Sequence, residues 1–172
     1  MMLEIKKVGN GDKIYPGNFT LWERKTIIKE SIGKILHLFS GKSNIGDIRV
    51  DYSFGNIKMS VFKYLKELDK NKYKFNTVII DAPYNEKTAE RYRKIGNTPK
   101  QFIIFADVKK TTKLFKLIDD KVLPKIIIIK SWNYYIPKGY KLKKGYVCYP
   151  GGYRKSTFLL ILEMIKREKK MF

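Results

Sequence analysis

Apolar residues recur along this chain in two rhythms, one near 3.6 residues and one in short unbroken runs, and their alternation predicts helices and strands in turn. Behind Thr20, a residue type that caps helices, Trp22, Ile27, Ile28 and Ile32 mark one apolar face, and Gly33 ends the pattern. A run at 35–39 then breaks into Ser40-Gly41-Lys42-Ser43, a strand entering a turn. Strands are expected at 47–51 and 57–59, and a helix at 60–69 with Val61, Tyr64, Leu65 and Leu68 at helical spacing. The strand at 77–80 ends at Asp81. Residues 86–95 read as a solvated helix, and 101–107 as strand or helix, since so short an apolar run does not reveal its period. An amphipathic helix at 109–122 leads into 125–130, an apolar strand of the kind buried on both faces of a parallel sheet. A hairpin closes the chain: 145–149, a Pro150-Gly151-Gly152 turn, and 156–165.

Strands alternating with helices and ending in a hairpin predict an α/β sheet with one antiparallel edge pair. No repeat, low-complexity stretch or linker interrupts residues 1–172, so one domain is expected, behind an irregular Gly-rich segment at 1–18.

Charge changes the picture most. The 37 Lys and Arg against 16 Asp and Glu give a net charge of +21, a field that attracts polyanions. Because the basic residues are spread along the chain, they suggest a basic face on a folded domain, with nucleic acid as the expected partner. A lysine-rich surface that merely keeps the protein soluble is the competing explanation. Cys148 is the only cysteine and His37 the only histidine, which argues against a disulfide, a cysteine zinc site and Ser-His-Asp hydrolysis. There is no secretory-type leader and no apolar stretch long enough for a bilayer, so a soluble, cytoplasmic protein without membrane contact is expected.

In open α/β sheets ligands bind beyond the carboxyl ends of strands, where strand order reverses. That rule points to the turn after the first predicted strand, Phe39-Ser40-Gly41-Lys42-Ser43 with Gly46 following, whose small residues let backbone amides approach a ligand. Asp51, ending the next strand, is placed to accept from ribose hydroxyls. Gly41-Lys42-Ser43 is not a P-loop, because Leu36 stands where the first glycine belongs, and Gly41 and Gly46 do not have the dinucleotide spacing.

The sharper signal is Val78-Ile79-Ile80-Asp81-Ala82-Pro83-Tyr84, an apolar strand that delivers an acid, a kink and an aromatic ring to the ligand edge. With Leu38-Phe39-Ser40-Gly41 upstream, it resembles the S-adenosylmethionine-dependent amino-methyltransferases of nucleic acids, which carry an Asp/Asn/Ser-Pro-Pro-Tyr/Phe motif after a cofactor turn. The similarity covers residues 35–84. It implies a Rossmann-like, seven-stranded, mostly parallel sheet with a C-terminal antiparallel hairpin and helices on both faces. It also implies methyl transfer to an exocyclic base amine, adenine in DNA first and cytosine second. In that family's terms Asp81 and the Ala82 carbonyl would hold the amine hydrogens, Pro83 would shape the corner, and Tyr84 would stack on a base swung out of its helix. Phe39, Ser40, Gly41, Lys42, Ser43, Asp51 and Ser60 would hold S-adenosylmethionine; no metal is implied.

Two positions depart from the family pattern. Ala82 replaces the first proline, though it keeps the backbone carbonyl and Pro83 still favours an extended conformation before it. Ser60 stands near where an acidic residue often meets the cofactor adenine. Phe19 and Thr20 would either cover the methionine end of the cofactor or serve as a staple and cap for the first helix. Trp132, Tyr153, Arg154 and Lys155 mix aromatic and basic groups suited to bases and phosphates, as do Asn133, Tyr134, Tyr135 and Tyr149 around them. The same motifs would also serve a methyltransferase of transfer or ribosomal RNA. A nucleic-acid-binding protein that has lost turnover is the reading from another class.

Overall fold

The computed structural model describes residues 3–8, 19–83, 90, 93–94, 104–150 and 155–165. Its elements are β1 (Glu4–Lys7), α1 (Leu21–Glu30), β2 (Ile35–Leu38), β3 (Ile48–Asp51), β4 (Ile57–Lys58), α2 (Val61–Glu67), β5 (Thr77–Ile80), α3 (Val108–Lys121), β6 (Ile126–Ser131), β7 (Tyr140–Tyr149) and β8 (Thr157–Met164). The strands form one open sheet in the order β1-β7-β8-β6-β5-β2-β3-β4. Only β8 runs against its neighbours, β6 and β7; every other pairing is parallel.

Period-two alternation in the central strands divides the interior into two cores. Leu36, Leu38, Val78, Ile80, Ile127 and Ile129 meet Val61 and Leu65 of α2 and Leu114 and Ile118 of α3. On the other face Ile79, Ile126 and Ile128 meet Ile27 of α1 and Phe19 just before it. Every residue of β5 and β6 is therefore buried, as their unbroken apolar runs predict. Each fully buried Leu or Ile here contributes about 1.5–3 kcal/mol.

Several expectations change. Residues 4–7, expected to be irregular, form β1, which aligns with β7 from Glu4↔Tyr146 to Lys7↔Tyr149. The sequence Glu-Ile-Lys-Lys has no buried residue and hence no apolar rhythm to betray it; backbone pairing makes the strand. The sheet consequently has eight strands rather than seven, and the terminal hairpin is not an edge pair, because β1 covers β7 while β8 inserts between β7 and β6. Strand β7 also begins at Tyr140, earlier than expected, since an irregularity between Leu142 and Lys144 breaks the alternation that would have revealed it.

Helix α1 turns a different face inward than its isoleucines suggest. Ile28 is 62% and Ile32 43% exposed, whereas Glu23 and Glu30 are buried beside Ile27. Lysines explain the inversion. Glu23 accepts from Lys130 Nζ at 3.0 Å, and Glu30 pairs with Lys143 at 3.2 Å and Lys144 at 2.5 Å. The expected cap is present as a reciprocal capping box: Thr20 Oγ1 accepts from the Glu23 N–H at 3.3 Å, and Glu23 Oε2 from the Thr20 N–H at 2.7 Å.

The segment with two possible readings, 101–107, is described from Ile104 onward. It is neither strand nor helix there: Ile104 is buried, and Asp107 caps α3 by accepting from the Lys110 N–H at 3.1 Å. The expected helix at 86–95 lies largely outside the described residues. Among the described residues no helix is long and apolar enough to cross a membrane.

Candidate active site

Register places the ends of the central strands level with one another. Leu38 of β2 lies opposite Val50 of β3 and Ile80 of β5, and Ile80 lies opposite Ile129 of β6. One residue further on, Phe39, Asp51, Asp81 and Lys130 therefore come to the same carboxyl edge. The chain runs outward from β2 to β3 and β4, then returns to β5 on the other side of β2, so strand order reverses between β2 and β5. The Gly41 turn and the Asp81 corner follow adjacent strands at this reversal, and the Asp81 N–H donates to the Leu38 carbonyl at 3.4 Å.

The turn owes its shape to left-handed backbone at Phe39 (φ 59°), Gly41 (φ 50°) and Gly46 (φ 106°). For Phe39 that conformation is uncommon and strained, and its burial in the core holds it there. The Ser40 N–H donates to the Val50 carbonyl at 3.2 Å and the Ser43 N–H to the Ser40 carbonyl at 2.9 Å. Asp51 ties the turn to β3: Oδ2 accepts from the Gly41 N–H at 3.1 Å, and Oδ1 from the N–H groups of Ser53 at 2.9 Å and Phe54 at 3.2 Å.

A carboxylate offers about four acceptor sites, and bonds among the described residues occupy three of those on Asp51. Ser43 is turned inward and accepts from the Ile45 N–H at 3.3 Å. Lys42 is exposed, its ammonium 5.2 Å from the Phe54 ring centroid. Ser40 is 4% exposed, yet its hydroxyl has no hydrogen-bond partner among the described residues. A buried, unmatched hydroxyl is costly unless a ligand completes it.

At the end of β5 Asp81 is half-buried, and Ala82 and Pro83 are buried. Tyr84 lies outside the described residues. Ser60, at the start of α2, makes no side-chain cap bond, and the Met59 N–H donates to the Asp51 carbonyl at 3.1 Å, holding Ser60 near the same edge.

On the far side of β5, Trp132 follows the last residue of β6, and the ammonium of Lys155 sits 4.9 Å from its ring centroid. Tyr153 and Arg154 lie outside the described residues. Of the neighbouring aromatics, Tyr134 is exposed and edge-on to Phe158, whereas Tyr135 stacks on Phe115 at 5.1 Å and belongs to the core.

The lysine after four isoleucines reads as a strand end, but Lys130 is buried, bonded to Glu23, and its ammonium lies 5.1 Å from the Phe19 ring centroid. Phe19 in turn stacks on His37 at 5.7 Å. Phe19 and Thr20 are thereby engaged in the second core and the α1 cap. No pattern in β6 distinguishes Lys130 from a solvated end; only the buried glutamate of α1 does.

His37 Nδ1 lies 2.9 Å from the Ile45 carbonyl, which can only accept, so Nδ1 carries the proton and Nε2 is left unpartnered among the described residues. Burial, reinforced by Arg49, pulls its pKa down to about 4 despite the Ile45 bond. An unfolded histidine titrates at about 6.5. Between these values the unfolded chain binds the proton and the folded chain does not. Stability should therefore be full above about pH 6.5 and lower by about 3 kcal/mol near pH 4. Urea denaturation across this range should show the slope in the wild type and a flatter one in His37→Asn.

A separate cleft of about 320 Å³ lies beside α3, lined by Phe115, Asp119, Ile127, Tyr135, Lys138 and Tyr140 among others. Of the residues singled out above as ligand contacts, Tyr135 lines it. No family model and no curated protein sequence matches this chain.

Proposed function

We propose that this protein transfers a methyl group from S-adenosylmethionine to the exocyclic amine of a nucleic-acid base, adenine in DNA before cytosine or RNA, on a Rossmann-like methyltransferase scaffold. One observation carries the reading: the Gly41 turn and the Asp81 corner, the two segments that resemble the amino-methyltransferases, follow neighbouring strands at the strand-order reversal, where open α/β sheets bind ligands.

The residues fit the cofactor in kind. The turn offers an unmatched Ser40 hydroxyl, and Asp51 the acceptor position that its three backbone bonds leave. Ser60 has an uncommitted cap position at the same edge. Held there, S-adenosylmethionine would supply an electrophilic methyl on a sulfonium, whose carbon–sulfur bond would break with its electrons left on sulfur.

The work left to the protein is to make the amine a nucleophile, because its lone pair is delocalised into the ring. Asp81 and the Ala82 carbonyl would accept its two hydrogens and turn the lone pair toward the methyl. The surplus proton then leaves through Asp81 or water. No proline is needed at Ala82, since the acceptor is main-chain. The net charge of +21 supplies attraction to the phosphate backbone.

Incubation with isotopically labelled S-adenosylmethionine and mixed DNA and RNA, followed by mass spectrometry of the digested nucleosides, should yield N6-methyladenine from DNA. Label in RNA alone would move the substrate, and no label in either would remove the reading.

A further inference from the structure

Strand β1 ends the sheet: it pairs with β7 on one side, and among the described residues nothing pairs with the other. The Val8 N–H donates to the Tyr149 carbonyl at 3.0 Å, which fixes the direction of the backbone groups along the strand. Because that direction alternates, Glu4, Lys6 and Val8 turn their N–H and C=O groups to β7, and Leu3, Ile5 and Lys7 turn theirs outward. The side chains alternate as well. Leu3 packs against the core under α2 and α3, so Ile5 stands on the same face, where it lies opposite Val147, which in turn lies opposite Phe158. Ile5 ends this apolar row at the sheet edge and is 77% exposed. On the other face Glu4 and Lys6 are ion-paired at 3.0 Å.

An open edge is a template for further strands, and lysines guard it against most of them. One strand matches these lysines, which is the same strand run backwards. A two-fold axis through Ile5 sets it opposite Ile5 of a second copy. Both turn their backbone groups outward and so exchange hydrogen bonds, as do Leu3 and Lys7 on either side. Between these pairs Glu4 falls opposite Lys6 of the other copy, in the non-hydrogen-bonded positions where facing side chains are closest. Opposite charges thus meet on both sides of the axis, and the apolar row of one copy runs on into that of the other.

We propose that β1 is a self-recognition edge, at which two copies pair antiparallel about Ile5 to make one continuous sheet. The proposal is independent of the methyltransferase reading. The carboxyl edges of the two copies then face opposite ways, so both candidate sites stay open. So small a contact makes a reversible dimer.

Sedimentation equilibrium of the nucleic-acid-free full chain, in salt that screens the repulsion between copies of charge +21, should show a concentration-dependent mixture of monomer and dimer. Glu4→Lys sets like charges opposite each other and should weaken association by about tenfold. Adding Lys6→Glu to it exchanges the charges without altering the net charge and should restore association. Ile5→Pro removes the central outward donor, leaves the bonds to β7 in place and should abolish the dimer. Residues paired on the axis have Cα atoms about 5.5 Å apart, within reach of a disulfide. Oxidised Ile5→Cys should therefore yield a covalent dimer, whereas Glu4→Cys, off the axis and on the other face, should not; the native Cys148 is buried. A chain that stays monomeric at every concentration, a dimer that withstands both Ile5→Pro and Glu4→Lys, or equal cross-linking through Glu4→Cys overturns the proposal.

Discussion

Asp81→Ala should lower methyl transfer by about 100- to 1000-fold, the scale on which one preorganised hydrogen-bonding group contributes to a transition state. The Asp81 backbone N–H ties the end of β5 to β2 and does not depend on the side chain, so the backbone of the corner survives the change. S-adenosylmethionine affinity should stay within about twofold, because the cofactor contacts are assigned to the turn on β2 and to Asp51. Asp81→Asn should retain part of the activity, since its amide keeps one acceptor oxygen. Initial rates from nucleoside mass spectrometry, with calorimetric cofactor affinity alongside, provide the check. A rate in Asp81→Ala equal to the wild type would remove Asp81 from the chemistry.

The largest expected losses of stability belong to the buried Lys130–Glu23 pair. The Lys130 ammonium and the Glu23 carboxylate are 7% and 1% exposed and 3.0 Å apart. Lys130→Ala leaves a buried carboxylate without its counter-charge and should cost about 3–5 kcal/mol. In a domain of this size that corresponds to a thermal midpoint lower by roughly 10 °C.

Glu23 also closes the α1 capping box, so Glu23→Ala should add loss of the cap, about 1 kcal/mol. Replacing both partners together, as in Glu23→Leu with Lys130→Met, should recover much of the loss, because well-packed apolar residues can stand in for a buried ion pair. Urea denaturation of the two single variants and the double tests this. An unchanged midpoint in Lys130→Ala would mean that the pair contributes nothing.

Much of the sheet was legible in the sequence where apolar runs are bounded by turn residues. The strands at 35–38, 77–80 and 126–131 and the helices at 61–67 and 108–121 follow from local pattern, since their burial is set by the same residues that make the pattern. The rest depends on partners distant in sequence. β1 exists because β7 offers it an edge, and α1 buries Glu23 and Glu30 because lysines more than 100 residues later meet them.

The candidate site divides along the same line. Its two motifs could be read locally, and their adjacency follows once β2 and β5 are neighbours. That Asp51 already spends three acceptor sites on backbone amides could not be read, because those bonds depend on how the turns after β2 and β3 fold back. Trp132 and Lys155 were legible as types, but their contact arises from the antiparallel pairing of β6 with β8.

The most direct test of a site shared by the two motifs is an amide chemical-shift map of the isotopically labelled protein titrated with S-adenosylhomocysteine, the product form of the methyl donor. The expected result is perturbation at residues 39–43, 51–54 and 60, reaching to 81 and 82. Perturbation confined to the cleft lined by Phe115 and Tyr140, or none at saturating ligand, would contradict a methyl-donor site between the Gly41 turn and Asp81.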